Sequence, residues 1–335
     1  ERFYRSEKHI NIEEPAMRFA TYTFGLILFA SAVLPAAAQD TNRPIRLIVP
    51  FGAGSSVDST ARPFAQALSE LSHQPVIVDN RPGAEGLIGA NAVINARADG
   101  LTVMLTSNSV PTLLPTLKKV PPFDLDKDLT PICTIAKAPM NVFLRTSLPF
   151  KNLDEFLSAA RANPNKYTFA YSSGLNRLGG ELFTQLAGIK LLGVGYKTTA
   201  QASMGVAAGE VDLMVSDVSS AAANYQAGKM RPLVVGDPER TPYLPGAPSA
   251  PEAGLDGYTV SVWFALYVPR NTPSDVVARL EGLTRAAAET AVVKEANGTG
   301  GRQAMVLCGE DLRAYQRQEM EHWREVIQKA NIELS

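Results

Sequence analysis

PIRLIVPFGAGSSVDSTAR, residues 44–62, sets a short apolar strand, a glycine-serine turn and the opening of a helix in immediate succession. Ile45, Leu47 and Val49 alternate with Arg46 and Ile48 until Pro50, the period of a strand. Phe51, Gly52, Ala53 and Gly54 form the turn, where glycine reaches backbone conformations closed to other residues. Ser55, Ser56 and Asp58 are acceptors suited to the unpaired amides that open a helix. Those amides and the helix dipole, roughly half a positive charge, favour a carboxylate or phosphate at this turn.

Working outward, strand and helix signals alternate. Ala61, Phe64, Ala65, Leu68 and Leu71 share one face of a helix expected over 59–71, with Pro63 predicted to cost a backbone bond and bend its first turns. A strand at 76–78, a glycine-rich loop with a second helix, and a strand at 102–105 follow, the last ending in Thr106, Ser107, Asn108 and Ser109. The middle of the chain repeats the theme: strand 140–144, helix 153–162, then strand 168–171 running into Ser172, Ser173, Gly174, Leu175 and Asn176. Helix 178–187, strand 193–196, helix 200–208 and strand 211–215 come next, and Ser216 and Asp217 close the last strand. The alternation predicts an α/β chain with parallel, doubly wound sheets, whose ligands bind beyond the carboxyl ends of the strands. Residues 239–255, rich in proline, read as an ordered surface loop. Leu312, Tyr315, Trp323, Val326 and Ile327 mark an amphipathic closing helix over 311–333, with Glu325 and Lys329 paired on its wet side.

Ahead of the first strand, Arg18 precedes the apolar run FATYTFGLILFASAVL and the small residues PAAA, the form of a secretory signal peptide over 17–38 with cleavage after Ala38. Residues 1–16 read as an upstream, non-structural segment. The remainder, roughly 300 residues, is enough for about two domains. With 45% hydrophobic and 19% charged residues and a net charge of −1, the composition provides a packed core and no electrostatic footprint for nucleic acid. Cys133 and Cys308 lie outside any CxxC pair, and two separate buried thiols are expected, although an exported chain permits a disulfide.

Catalytic constellations fare poorly. Apart from His9, histidine occurs only at His73, in a helix-to-strand turn, and His322, beside Trp323 in the closing helix; both read as surface or packing residues. Ser172-Ser173-Gly174 lacks the G-x-S-x-G pattern of a nucleophile elbow. Gly52-x-Gly54 and Asp79 outline a dinucleotide site, yet Val57 stands where the third glycine belongs. What remains is a set of strand-ending turns at 52–58, 106–109 and 172–176 whose donors suit a small anion, each also explicable as ordinary capping. Asp58 would repel an anion, so capping is its expected role and binding a ligand ammonium or hydroxyl the alternative.

Residues 44–62 and VIVDNRPGAEGLIGANAV at 76–93 closely resemble the Bug family of periplasmic solute-binding proteins, which serve tripartite tricarboxylate transporters. PFDLDKDLTPI at 122–132, GELF at 180–183, AAGEVDLMVSD at 207–217 and WFALYVPRNTP at 263–273 extend the match in order. The resemblance implies a periplasmic binding protein-like Venus flytrap, two doubly wound lobes around a cleft, with residues 40–139 plus 264–335 in one lobe and 140–263 in the other. It implies a monomer in the periplasm that captures a small carboxylate and delivers it to transporter membrane subunits, with no enzyme activity, cofactor, metal or nucleic acid. Presentation of the closed form to a membrane sensor kinase is the alternative.

Carried over, the ligand turns are Phe51 to Ser56 with Asp58, and Ser172, Ser173, Gly174 and Asn176, with Ser107, Asn108, Ser216 and Asp217 lining the rest of the cleft. The sequence departs from the family pattern at Ser55, where a second glycine is usual, at Thr198, which replaces glycine after Tyr196-Lys197, and in a shortened second turn without histidine. Arg177 in that turn is expected to offer a cation to a distal acid group.

Overall fold

The computed structural model describes residues 43–329. The signal peptide expected over 17–38 and the segment before it lie outside these residues, as do the last positions of the helix expected over 311–333.

Among the described residues eleven strands are formed: β1 (Ile45–Val49), β2 (Val76–Asn80), β3 (Thr102–Ser107), β4 (Leu129–Pro139), β5 (Asn141–Arg145), β6 (Thr168–Tyr171), β7 (Leu192–Gly195), β8 (Leu213–Ser216), β9 (Met230–Val234), β10 (Ser261–Pro269) and β11 (Gln303–Ala304). They make two sheets, ordered β11-β4-β10-β3-β1-β2 and β7-β6-β8-β5-β9. The expected all-parallel sheets are corrected here, since both are mixed. β1 runs parallel to β2 and β3, but β10 pairs antiparallel with β3 and β4. In the second sheet β6 is parallel to β7 and β8, while β5 is antiparallel to β8 and β9. β10, SVWFALYVP, is buried at eight consecutive positions, because a strand inserted between two others and covered on both faces needs an unbroken apolar run.

The helix after β1 spans Ser56–Ser72, starting three residues before the expected position because Ser55 caps it, and it continues through Pro63. The helix after β6 spans Gly174–Leu186, so Asn176 belongs to its first turn. Residues 239–255 form neither helix nor strand and are pinned by buried Leu244, Ala247, Ala250 and Leu255. The last helix, Gly309–Lys329, buries Leu312, Trp323, Val326 and Ile327, and Lys329 pairs with Glu325 at 3.2 Å.

Two crossings join the sheets. Only Met140 separates β4 from β5, and its amide bonds to the carbonyl of Val260 at 2.8 Å, at the entry to β10. Val260 in turn donates to Gly236 at 3.0 Å. A Cβ at Gly236 would lie 2.1 Å from the carbonyl oxygen of Met140, so only glycine permits this close approach of the crossing strands. The cysteines are a second correction: Cys133 in β4 and Cys308 form a disulfide across an antiparallel bridge, in place of two separate thiols.

Candidate functional site

The turn after β1 is held from behind by Asp58. Its carboxylate accepts from the amide of Gly54 at 3.0 Å, from Arg62 at 2.9 and 3.0 Å, and from Asn80 at 3.0 Å, and Asn80 also bonds the carbonyl of Phe51. Burial raises the proton affinity of Asp58, but the bonds from Arg62, Gly54 and Asn80 outweigh it and hold its pKa below the ordinary value. With its acceptors so occupied, Asp58 is a strut of the turn. Gly54 takes φ +79°, the left-handed conformation for which glycine is suited. Ser55 accepts from the amide of Asp58 at 3.2 Å, leaving the amides of Ser56 and Val57 without partners inside the helix.

The turn after β6 is built alike. Ser173 caps its helix by accepting from the amide of Asn176 at 3.4 Å, and the Asn176 side chain, which accepts from both Ser172 and Ser173, is anchored to the carbonyl of Val215 at 2.9 Å. At the end of β8, Asp217 caps the helix Val218–Gln226 by accepting from the amide and hydroxyl of Ser220, both at 3.0 Å, and from the hydroxyl of Ser219. At the end of β3, Asn108 is fully buried and donates to the carbonyl of Ser261 at 3.0 Å, while its Oδ1 has no partner.

These strand ends converge. A cavity of about 30 Å³ is walled by Ser55 and Ser56 from the first turn, Ser107 from β3, Ser173 and Asn176 from the second turn, and Asp217. That is room for about two waters, or for the oxygens of one carboxylate. A larger groove of about 460 Å³ continues outward between the sheets, with Phe51, Gly52, Ala53, Ser55 and Ser172 on its walls. The two spaces share Phe51, Ser55 and Thr199. Among the described residues no cluster of His, Cys, Asp or Glu is placed to hold a metal ion.

Of the residues named from sequence, Gly54, Asp58, Asn108, Gly174, Arg177 and Ser216 line neither space. The first four frame the turns. Arg177 lies with its guanidinium 6.0 Å from the centre of the Tyr171 ring, and Ser216 is fully buried with its hydroxyl unpaired. Sequence reading missed two segments of the groove wall. One is Tyr196 to Gln201, where Thr198 caps the helix Thr199–Ala208 and presents its methyl 3.4 Å from where a Cβ at Gly52 would be. The other is Pro82 to Gly86, four of whose residues, Gly83 to Gly86, have positive φ. The signal for the first was the strand-to-helix junction at Tyr196-Lys197-Thr198, which has the same capping chemistry as the turns that were chosen.

Residues 60–332 match the family described as tripartite tricarboxylate transporter family receptor. The chain is also similar to the periplasmic binding protein BugD, with 28% identity and a TM-score of 0.82 over 87% of this chain and 98% of that one. A Rhodopseudomonas palustris protein solved with adipate gives 29% identity and a TM-score of 0.82, covering 86% of this chain and 97% of the other. MatC from the same organism, with bound malate, gives 26% and 0.78, covering 85% and 99%. The fold is the two-lobed α/β fold of periplasmic binding proteins.

Proposed function

Because the chain belongs to the tripartite tricarboxylate transporter receptor family, we propose that it captures a small carboxylate between two lobes, one built on each sheet, with the boundary expected at 263 moved back to the start of β10 at Ser261, and delivers it to the membrane subunits of such a transporter. The family consists of periplasmic solute-binding proteins. The observation that carries the reading is the meeting of four strand ends, two from each sheet, around one small polar cavity. The helix-opening residues Ser56 and Val57 line it from one sheet and Leu175 from the other, so a single carboxylate draws on the opening amides of both helices and closure is coupled to loading. The hinge is the pair of crossings at Met140 and between Val234 and Ser261. Export through the segment 17–38 belongs to the same reading, and the Cys133–Cys308 disulfide suits an oxidising compartment.

The test is a thermal-shift panel of mono-, di- and tricarboxylates, amino acids, sugars and NAD. A ligand at 1,000 times its dissociation constant adds about 4 kcal/mol of stability. A shift confined to carboxylates supports the reading; shifts for sugars or NAD with none for carboxylates overturn it.

A further inference from the structure

Asp217 presents a problem for an anion seat, because a buried carboxylate forms part of its wall. Like charges at such range repel, and the low polarity of the interior strengthens the repulsion. Its capping bonds from Ser219 and Ser220 come from neutral groups and bring no opposite charge to it.

The compensating charge lies behind the wall. Arg302 is 5% exposed, and its direct acceptors are all neutral: Ser59 Oγ at 3.1 Å, Ser219 Oγ at 3.3 Å, Asn297 Oδ1 at 3.3 Å and the carbonyl of Ala296 at 3.0 Å. Ser219, which accepts from Arg302, donates to Asp217, so the guanidinium stands one hydroxyl away from that carboxylate. Ser59 donates to the carbonyl of Ser56, placing Arg302 one hydroxyl from the opposite wall of the cavity as well. Burial works against the charge of Arg302, and the carboxylate of Asp217 works for it. Guanidinium stays protonated in proteins, so a full positive charge sits there.

The preceding glycines make room for it. A Cβ at Gly300 would lie 2.5 Å from the guanidinium carbon of Arg302, and Gly301, at φ +68°, would carry one 3.0 Å from Cβ of Val218. Neither position accepts a side chain without displacing Arg302 or the helix that Asp217 caps.

We propose that Arg302 is a specificity-determining residue of the anion seat, which offsets the charge of Asp217 and links the helix opening at Ser56 to the helix opening at Val218. The link spans both sheets, so the positive charge is brought to the seat as the lobes meet. This rests on the carboxylate-capture reading. It assigns the preference for anions to one buried cation that never touches the ligand, acting together with the helix amides.

Titration calorimetry with acetate, malate and adipate as probes tests it on the wild type, Arg302→Gln, Asp217→Asn and the double variant. Arg302→Gln weakens carboxylate binding tenfold or more, and adding Asp217→Asn restores it to within about threefold of the wild type. Asp217→Asn alone tightens binding at least twofold; asparagine caps a helix as well as aspartate, so this variant is informative even where Arg302→Gln does not fold. Wild-type affinity in Arg302→Gln, no recovery in the double variant, or weaker binding in Asp217→Asn overturns the inference and leaves carboxylate capture standing. Absence of binding of all three acids to the wild type overturns both.

Discussion

A Cβ at Gly174 would lie 2.7 Å from Cδ1 of Leu117, so the residue that opens the helix after β6 is also a point where the segment between β3 and β4 presses on that helix. Contact of this kind is made where the two halves meet. A branched side chain there acts chiefly on that meeting. Gly174→Val is expected to weaken carboxylate binding by about 1–3 kcal/mol, the usual range for overpacking. Calorimetry on the variant, with thermal unfolding of the unliganded protein as control, checks this; unchanged affinity would show that the contact persists when the ligand is bound and when it is not.

Asp58 is expected to matter for the shape of the first turn. Asp58→Ala strands the donors of Gly54 and Asn80 and should cost about 1–3 kcal/mol of stability, measured by urea unfolding. The Arg62 side chain is 57% exposed, so its ion pair adds little to that figure. The sign of the pH effect follows from the lowered pKa. The contribution of Asp58 is complete above its ordinary value of 3.8 and is lost as pH falls through the lower folded value. Acid titration of the wild type should therefore show this loss, and the Asp58→Ala variant should lack it.

The Cys133–Cys308 disulfide links positions separated by 175 residues. Replacing both cysteines with serine is expected to lower stability by about 2–5 kcal/mol. Free-thiol titration of the purified protein, with and without reductant, establishes the bond, and unfolding in denaturant measures its effect.

His73 ends the Ser56–Ser72 helix in the left-handed conformation, φ 55°. That conformation costs a residue with a side chain about 1–2 kcal/mol, while the greater freedom of glycine in the unfolded chain returns about 0.4–1 kcal/mol. His73→Gly should thus be a net stabiliser by about 0.5–1 kcal/mol in thermal unfolding, with ligand affinity as in the wild type.

Local chemistry made the capped turns readable. Pro50 and the glycines after it end β1, Ser55 and Ser173 begin helices, and such signals act over a few residues. The mixed character of the sheets was not readable, because β10 pairs with β3 across about 160 positions and its apolar run says only that it is buried. The disulfide escaped for the same reason, as did the roles of Thr198 and Arg302. Thr198 reads as a helix cap wherever it stands, and only the tertiary fold brings its methyl against Gly52. Asp58, expected to cap the helix, instead braces the turn through Gly54, Arg62 and Asn80, and Arg177, expected to offer a cation to a distal acid group, lies against Tyr171.

The most direct test of carboxylate capture between the two sheets is a crystal structure with the acid that gives the largest thermal shift. The account predicts one carboxylate within hydrogen-bonding distance of the amides of Ser56 or Val57 and also of Gly174 or Leu175. A carboxylate held by one sheet alone, or bound away from this cavity, would contradict it.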